Sequence, residues 1–392
     1  MASGERDDFM ETALVRREAG WSDPHPKGTT VQPNESATCN ASPLEPTVPS
    51  RYRTYLVNVV AVTWFPVPAP AAVYERSKMP LSVNIVIPTY QRSALVRSAV
   101  RAAMEQSHAR TIVTVIDDGS TDDTCDVLSD WFTDPRFNYV QLARNLGTAQ
   151  AKNVGIALNG CDAVTFHDSD DRPHPDKVLM QVRKLATPGI EASPVFDWSP
   201  FGIEPGSSLS LAAVLTEHEL IRANGSRFHV RRTLSLAEDF LPNLQMAVGP
   251  PGDWILVNSG LFHASVFERL GGFEDCIEED RELRNRLVMA GEAIWVIPHV
   301  LLTKIECADS LTAEAGTGYD SPRRARDRAL VRQRVADWFS HRKVPTVPLA
   351  LPDLDIAFVS NPAHLVRSSV PADDGTEARL GDVLARWRPD GS

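Results

Sequence analysis

Between residues 81 and 186 the chain alternates short, β-branched apolar runs with longer segments whose apolar positions recur at helical spacing, and no other feature limits its fold as much. The stretch "SVNIVIP", ended by Pro88, reads as a strand buried on both faces, because its apolar residues run together instead of alternating. Behind it, "SALVRSAVRAAMEQ" sets Leu95, Val96, Ala99, Val100, Ala103 and Met104 on one helical face, with Ser93 as its expected cap. "TIVTVIDD", "NYVQLA" and "AVTFHD" repeat the strand pattern. Residues 121–132, "TAQAKNVGIAL" and "PDKVLMQVRKLA" repeat the helical one. Four strand–helix units in succession predict a parallel sheet with helices on its faces. Ligands of such sheets bind beyond the carboxyl ends of the strands, which lines up residues 88–90, 117–120, 144–147 and 168–171 along one rim.

The last of these groups is the most telling. Asp168, Asp170 and Asp171 follow a buried strand directly, and within the run only the neighbouring Arg172 offsets their mutual repulsion. A helix begins just beyond, and one acidic residue would serve its N-terminus; three call for a further reason. Hard divalent cations take oxygen ligands, commonly one or two protein carboxylates together with substrate phosphates, and a D-x-D-D run at a strand end can point two carboxylates at one ion. Elsewhere on the rim the local readings stay balanced. "IDDGSTDDT" is ordinary turn and cap chemistry, or else a carboxylate that accepts a hydrogen bond from a ribose or a base. "RNLGTAQAKNVGIA" is a solvated helix start, or a phosphate site with Arg144 and Lys152 at hand. Acidic Glu278, Glu279 and Asp280 suit a helix N-terminus by charge alone, while a general base needs such a carboxylate beside an acceptor hydroxyl. The Arg-rich helix at 322–342 reads as a solvated face, with an anionic acceptor or a membrane surface as the lesser alternative.

Composition trims the remaining classes. A net charge of −11 argues against nonspecific nucleic-acid or anionic-membrane binding, and an apolar share of 43% is ample for a core. The five cysteines are scattered with no C-x-x-C pair, which disfavours zinc and a disulfide framework and fits a reducing, cytoplasmic setting. The opening residues are charged where a secretion leader is apolar, and the most apolar run, 55–73, carries Asn58 and three prolines, so no transmembrane segment is expected. Residues 1–50 are polar, aperiodic and rich in Pro, Ser, Thr and Glu, a composition that reads as disordered. Residues 190–260 are less regular than what precedes them, with Trp198, Phe201 and Trp254 scattered through them. A dinucleotide oxidoreductase is disfavoured because no GxGxxG follows any strand, and a sugar-1-phosphate nucleotidyltransferase because "IPTYQRSA" lacks glycine.

Taken together, "VIPTYQR", "VIDDGSTDDT", "RNLGTAQAKNVGIA", "DSDD" and "GGFEDCIEEDRELRNRL" resemble, in order and approximate spacing, the inverting family 2 glycosyltransferases of the GT-A fold. The resemblance covers residues 81 to about 312. It implies an α/β fold of GT-A type, with a mostly parallel sheet flanked by helices: a nucleotide-sugar-binding half at 80–190 and an acceptor-binding half at 191–320. An N-terminal extension at 1–79, largely disordered, and a C-terminal helix with a Pro-rich tail at 321–392 would flank it. By the same resemblance Pro88, Thr89, Tyr90 and Asp118 receive the nucleotide base. Lys152, Asp168 and Ser169 lie by the sugar or diphosphate, Asp168 and Asp170 hold Mn²⁺ or Mg²⁺, and Asp280 is the general base. Relatives often carry Arg at the place of Lys152, and a His where "CADSLT" has Cys307. The implied partners are a UDP- or TDP-sugar and an acceptor glycan, lipid-linked sugar or small molecule, with peripheral membrane contact left open and no nucleic acid. A degenerate GT-A fold that binds a nucleotide or a protein without catalysis is the alternative.

Overall fold

Strand β1 (Val83–Thr89) shows how the sheet is built. Val83, Ile85 and Ile87 point to one face and pack with Val96 and Val100 of helix α1 (Ser93–Met104); Val86 points to the other and packs with Ala151 and Val154 of α3 (Thr148–Ala157). Both faces are covered, so the strand needs apolar residues at consecutive positions. This computed structural model describes residues 81–187, 190–191, 204–230, 257–290, 292–306, 316–318, 320–341, 343–351 and 354–362. The chain divides into two units, 1–71 and 72–392, and every described residue belongs to the second; the expected extension at 1–79 lies outside them.

The remaining elements follow in chain order. β2 (Thr111–Asp117), α2 (Thr124–Leu128), β3 (Phe137–Leu142), β4 (Ala163–Phe166), β5 (Arg172–Pro173) and α4 (Lys177–Leu185) complete the first half. The second half holds β6 (Ile190–Glu191), β7 (Ser208–Leu209), β8 (Leu211–Ile221), β9 (Arg227–Val230), β10 (Gly260–His263), α5 (Ala264–Leu270), α6 (Glu279–Met289), β11 (Ala293–Ile305), α7 (Pro322–His341) and β12 (Ile356–Val359). The main sheet runs β12-β3-β2-β1-β4-β10-β8-β11-β5, with β9 on β8; β6 and β7 pair separately. β3, β2, β1 and β4 are mutually parallel, as expected from four strand–helix units. Beyond β4 the sheet turns mixed: β10 is antiparallel to both neighbours, and β11 is parallel to β8. The order reverses at β1, and at that switch the crevice for a ligand opens.

Three features depart from the sequence reading. Ser93 is the first helical residue of α1 and not its cap; its backbone N–H donates across to Asp122 Oδ2 at 3.1 Å. Strand β8 occupies part of the region read as irregular, because its Leu, Ala and Glu content lacks the β-branched signature of the first four strands. The described residues at 343–351 and 354–362, read as part of a Pro-rich tail, are built into the fold. Leu349, Leu351, Leu354, Ile356 and Val359 are buried in the main core, and β12 pairs antiparallel with β3. This strap is fixed at Gly271, where Val347 N donates to Leu270 O (2.9 Å) and Gly272 N to Val347 O (3.0 Å). Gly271 has φ 79° and ψ −167°, a region open essentially to glycine alone, and a Cβ there would lie 1.7 Å from the Val347 oxygen. Gly271→Ala is therefore expected to lower stability by about 2–4 kcal/mol, from backbone strain plus displacement of the strap. Urea unfolding followed by tryptophan fluorescence measures the loss, and a change within error would mean that the strap is not coupled to the core.

Candidate active site

The first two rim loops are locked to each other by backbone polarity. Asp118 N donates to Thr89 O (2.9 Å), and Gln91, at φ 52°, accepts the amides of Thr121 (3.2 Å) and Asp122 (3.1 Å) on its side-chain oxygen. Pro88 is half-buried and Thr89 buried, while Tyr90 offers a ring that is 45% exposed. In "IDDG" the first carboxylate is structural: Asp117 accepts the Tyr139 hydroxyl and the Ser120 amide (2.8 Å). The second, Asp118, receives the amides of Leu146 (2.7 Å) and Gly147 (2.8 Å), so it organises the start of α3. Burial pushes the Asp118 carboxyl up to about 6 against the pull of those two amides. The turn between these loops is tight: Gly119 has φ 80°, and a Cβ on it would meet the Arg144 carbonyl carbon at 2.6 Å.

The carboxylate turn follows β4. Asp171 N donates to Asp168 O (3.1 Å), and β5 hooks the turn onto β11 through Leu302 and Thr303. Carboxylate oxygens of Asp168, Asp170 and Asp171 all lie within 4.8 Å of one another. Two cations attend them: Arg92 Nη1 is 3.1 Å from Asp170, and Lys304 Nζ is 3.8 Å from Asp168. Ser169 is buried beside them, its hydroxyl 3.5 Å from Arg92. Burial, helped by Asp168, pushes Asp170 up and Asp171 up to about 7. Asp171 takes the Asn258 amide at 2.8 Å on one oxygen, and its other oxygen is buried without a hydrogen-bond partner. Hard oxygen donors crowded at like charge, one of them orphaned, fit a divalent cation of the Mg²⁺ or Mn²⁺ kind. Of these residues Arg92 was readable as the end of "VIPTYQR"; Asn258 and Lys304 come from distant segments without a local signal.

Helix α6 also opens on acidic residues, Glu279, Asp280 and Glu282. Lys152 Nζ donates to Asp280 Oδ1 (2.8 Å) and Glu279 Oε1 (3.1 Å), and lies 5.1 Å from the Phe273 ring centre. Burial works against this ammonium, but Asp280, Glu279 and Asp168 more than offset it and raise its pKa. Burial pushes Glu279 up to about 7, with Asp280 adding to the rise and Lys152 opposing it. The next residue on α3, Asn153, exchanges two hydrogen bonds with the Phe273 backbone, at 2.7 and 2.9 Å. The resemblance implies Lys152 by the sugar or diphosphate and Asp280 as the base, and the structure bonds these two side chains directly. Cys307 and the aromatics Trp198, Phe201 and Trp254 lie outside the described residues. No helix among the described residues is long and apolar enough to cross a membrane.

Removing the ammonium should expose its role in holding the halves together. Lys152→Met leaves Glu279 and Asp280 without their cation, a loss of about 3 kcal/mol at pH 8. Glu279 has a raised folded pKa, so the folded state binds its proton more tightly than the unfolded state does, and stability falls as pH rises between the unfolded value of 4.5 and the folded value of about 7. Without Lys152 that window extends upward. The stability deficit against wild type should thus shrink when thermal unfolding is measured at pH 5.5, and a deficit equal at both pH values would contradict this account.

Residues 84–196 match the family described as Glycosyl transferase family 2. Among curated proteins, an uncharacterized glycosyltransferase of Rickettsia felis is 35% identical over 101 residues, which is 26% of this chain and 17% of that protein. The putative teichuronic acid biosynthesis glycosyltransferase TuaG of Bacillus subtilis is 30% identical over 122 residues, 31% of this chain and 47% of that protein. The chain thus spans less than half the length of either relative. Among solved structures, the mannosyltransferase PcManGT from Pyrobaculum calidifontis, in complex with GDP-Man and Mn²⁺, aligns with a TM-score of 0.44 at 20% identity, covering 86% of this chain and 88% of that one. The family match covers the segment that carries β1 to β4 and the carboxylate turn.

Proposed function

We propose that the chain transfers a single sugar from a nucleoside-diphosphate sugar to an acceptor hydroxyl, with inversion at the anomeric carbon. One observation carries this reading: the buried Lys152 ammonium is bonded to Asp280 and also feels the charge of Asp168, which supports a base close to the carboxylate cluster. In this proposal Pro88, Thr89, Tyr90 and Asp118 receive the base of a UDP- or TDP-sugar, and Lys152, Asp168 and Ser169 meet the sugar and diphosphate. Asp168 and Asp170 hold Mn²⁺ or Mg²⁺, with Asp171 beside them; when bound, the ion supplies Lewis-acid stabilisation of the departing diphosphate. The side chain of Asp280 is 32% exposed, which leaves it reachable by an acceptor. It takes the hydroxyl proton as the hydroxyl oxygen bonds to the anomeric carbon, while the bond from that carbon to the diphosphate oxygen breaks on the opposite face. Negative charge grows on the leaving oxygen, and Arg92 and Lys304 add positive charge already fixed at the cluster. The acceptor is a glycan, a lipid-linked sugar or a small molecule, and the setting cytoplasmic.

Calorimetric titration of UDP, TDP and GDP, with and without Mn²⁺, tests the donor half. Binding of one nucleotide that depends on manganese and is lost in Asp170→Ala is expected. The base is tested by Asp280→Asn, which should keep donor binding and reduce turnover about 10²–10⁴-fold. A wild-type chain that binds a donor but shows no turnover with any acceptor in a broad panel would favour the non-catalytic alternative, and no nucleotide binding at all would end the transferase reading and leave only the protein-binding form of that alternative.

A further inference from the structure

We infer that helix α7 positions the general base, with Arg324 and Arg328 acting through Glu278 to fix where Asp280 stands. This rests on the reading of Asp280 as the base, and it concerns a helix outside the family match at 84–196. The face that α7 turns toward the core carries Arg324, Arg328, Val331 and Trp338, at spacings of three, four and seven residues that form one stripe. Val331 is fully buried and Arg324 and Trp338 nearly so, which means that this face is a docking surface and not a solvated one.

What it docks on is the segment that leads into the base. The Glu278 side chain is only 4% exposed and is paired with Arg281 (2.5 Å), Arg324 (3.1 Å) and Arg328 (3.3 Å). Asp327, in the same turn of α7, accepts the Ile277 amide at 2.9 Å, and Arg334 pairs with Glu274 at 3.1 Å. Burial works against the Glu278 charge, yet Arg281, Arg328 and Arg324 hold its pKa below the usual value. Three guanidiniums on one buried carboxylate exceed what a helix N-terminus needs, since Glu279, Asp280 and Glu282 already meet the dipole of α6. The three consecutive acids are thereby pulled apart: Glu278 is drawn to α7, while Glu279 and Asp280 are drawn to Lys152. The backbone between them is held by cationic anchors on two different elements, α3 and α7. Freed from one anchor it would drift, and a shift of about 1 Å in a reacting group lowers rate by about 10²-fold. The proposed donor contacts at the ends of β1, β2 and β4 would be left alone, and Lys152, carried by α3, is the one donor contact that touches the drifting segment.

The test uses the full chain with Arg324→Ala, Arg328→Ala, the double variant, Arg324→Lys and Glu278→Gln. Turnover is read as release of nucleoside diphosphate from a panel of UDP-, TDP- and GDP-sugars with Mn²⁺ and a panel of glycan, lipid-linked sugar and small-molecule acceptors, donor affinity by calorimetry, and backbone mobility by hydrogen exchange of peptides covering 274–282. The alanine variants and Glu278→Gln should lose about 10–100-fold in kcat with donor Kd within twofold. Exchange should quicken at Ile277 to Asp280 with no change in β1 to β4, and Arg324→Lys should recover most of the rate. The single variants and the lysine variant keep the test open if the double variant does not fold. Folded variants with wild-type kcat and wild-type exchange at Ile277 would overturn the inference, as would loss of donor affinity in step with kcat. If the wild-type chain releases no diphosphate from any donor, the transferase reading fails instead; slow exchange at Ile277 that survives in every variant would then refute the clamp separately.

Discussion

A single buried ammonium, that of Lys152, joins the two halves of this fold. It leaves a helix that packs on the parallel strands and ends on two carboxylates of the second half, and its neighbour Asn153 repeats the crossing with two backbone hydrogen bonds. An ion that far from water is tolerable only with close counter-charges, so the start of α6 cannot move far without isolating it. The same restriction holds Asp280, the base in the proposed reaction, beside α3.

A second layer keeps α6 itself in place. Arg286 is fully buried, paired with Glu282 at 2.8 Å, and it also donates to the carbonyls of Leu270 and Gly272. Those carbonyls belong to the turn that receives the C-terminal strap at Val347. Beneath lies a group of phenylalanines, with Phe166 and Phe273 edge to face at 5.2 Å, which links the end of β4 to the same turn. Apolar packing thus supports the carboxylate turn and the α6 turn from below, while charge fixes them from above.

The first four strands were legible because each is buried on two faces, which forces consecutive apolar residues and a polar end. The turn chemistry at Asp117 and Asp118 was legible as turn chemistry, but their division of labour was not: one binds a tyrosine of β3 and the other the loop before α3, and neither partner is close in sequence. β8 was missed because its composition suits a helix as well as a strand, and its identity comes from β10 and β11 on either side. The Arg-rich helix was read as solvated because charge is usually outside; most of it is exposed, and only the face that carries Arg324, Val331 and Trp338 is buried. The strap after residue 343 was hidden by its prolines, which suppress periodicity without preventing burial.

The pairing of β12 with β3 has a consequence for how the protein is made. Tyr139 N donates to the hydroxyl of Ser360, across 221 positions of the chain. A chain emerging from the ribosome can close β1 to β4 early, since those contacts are local, but the outer edge of β3 stays open until residues 356–359 have been synthesised. For most of translation the nascent domain therefore presents an unpaired edge to its neighbours on the same message. Any product ended before that strand carries the open edge permanently, with β1 to β4 in place and an edge free to pair with another chain.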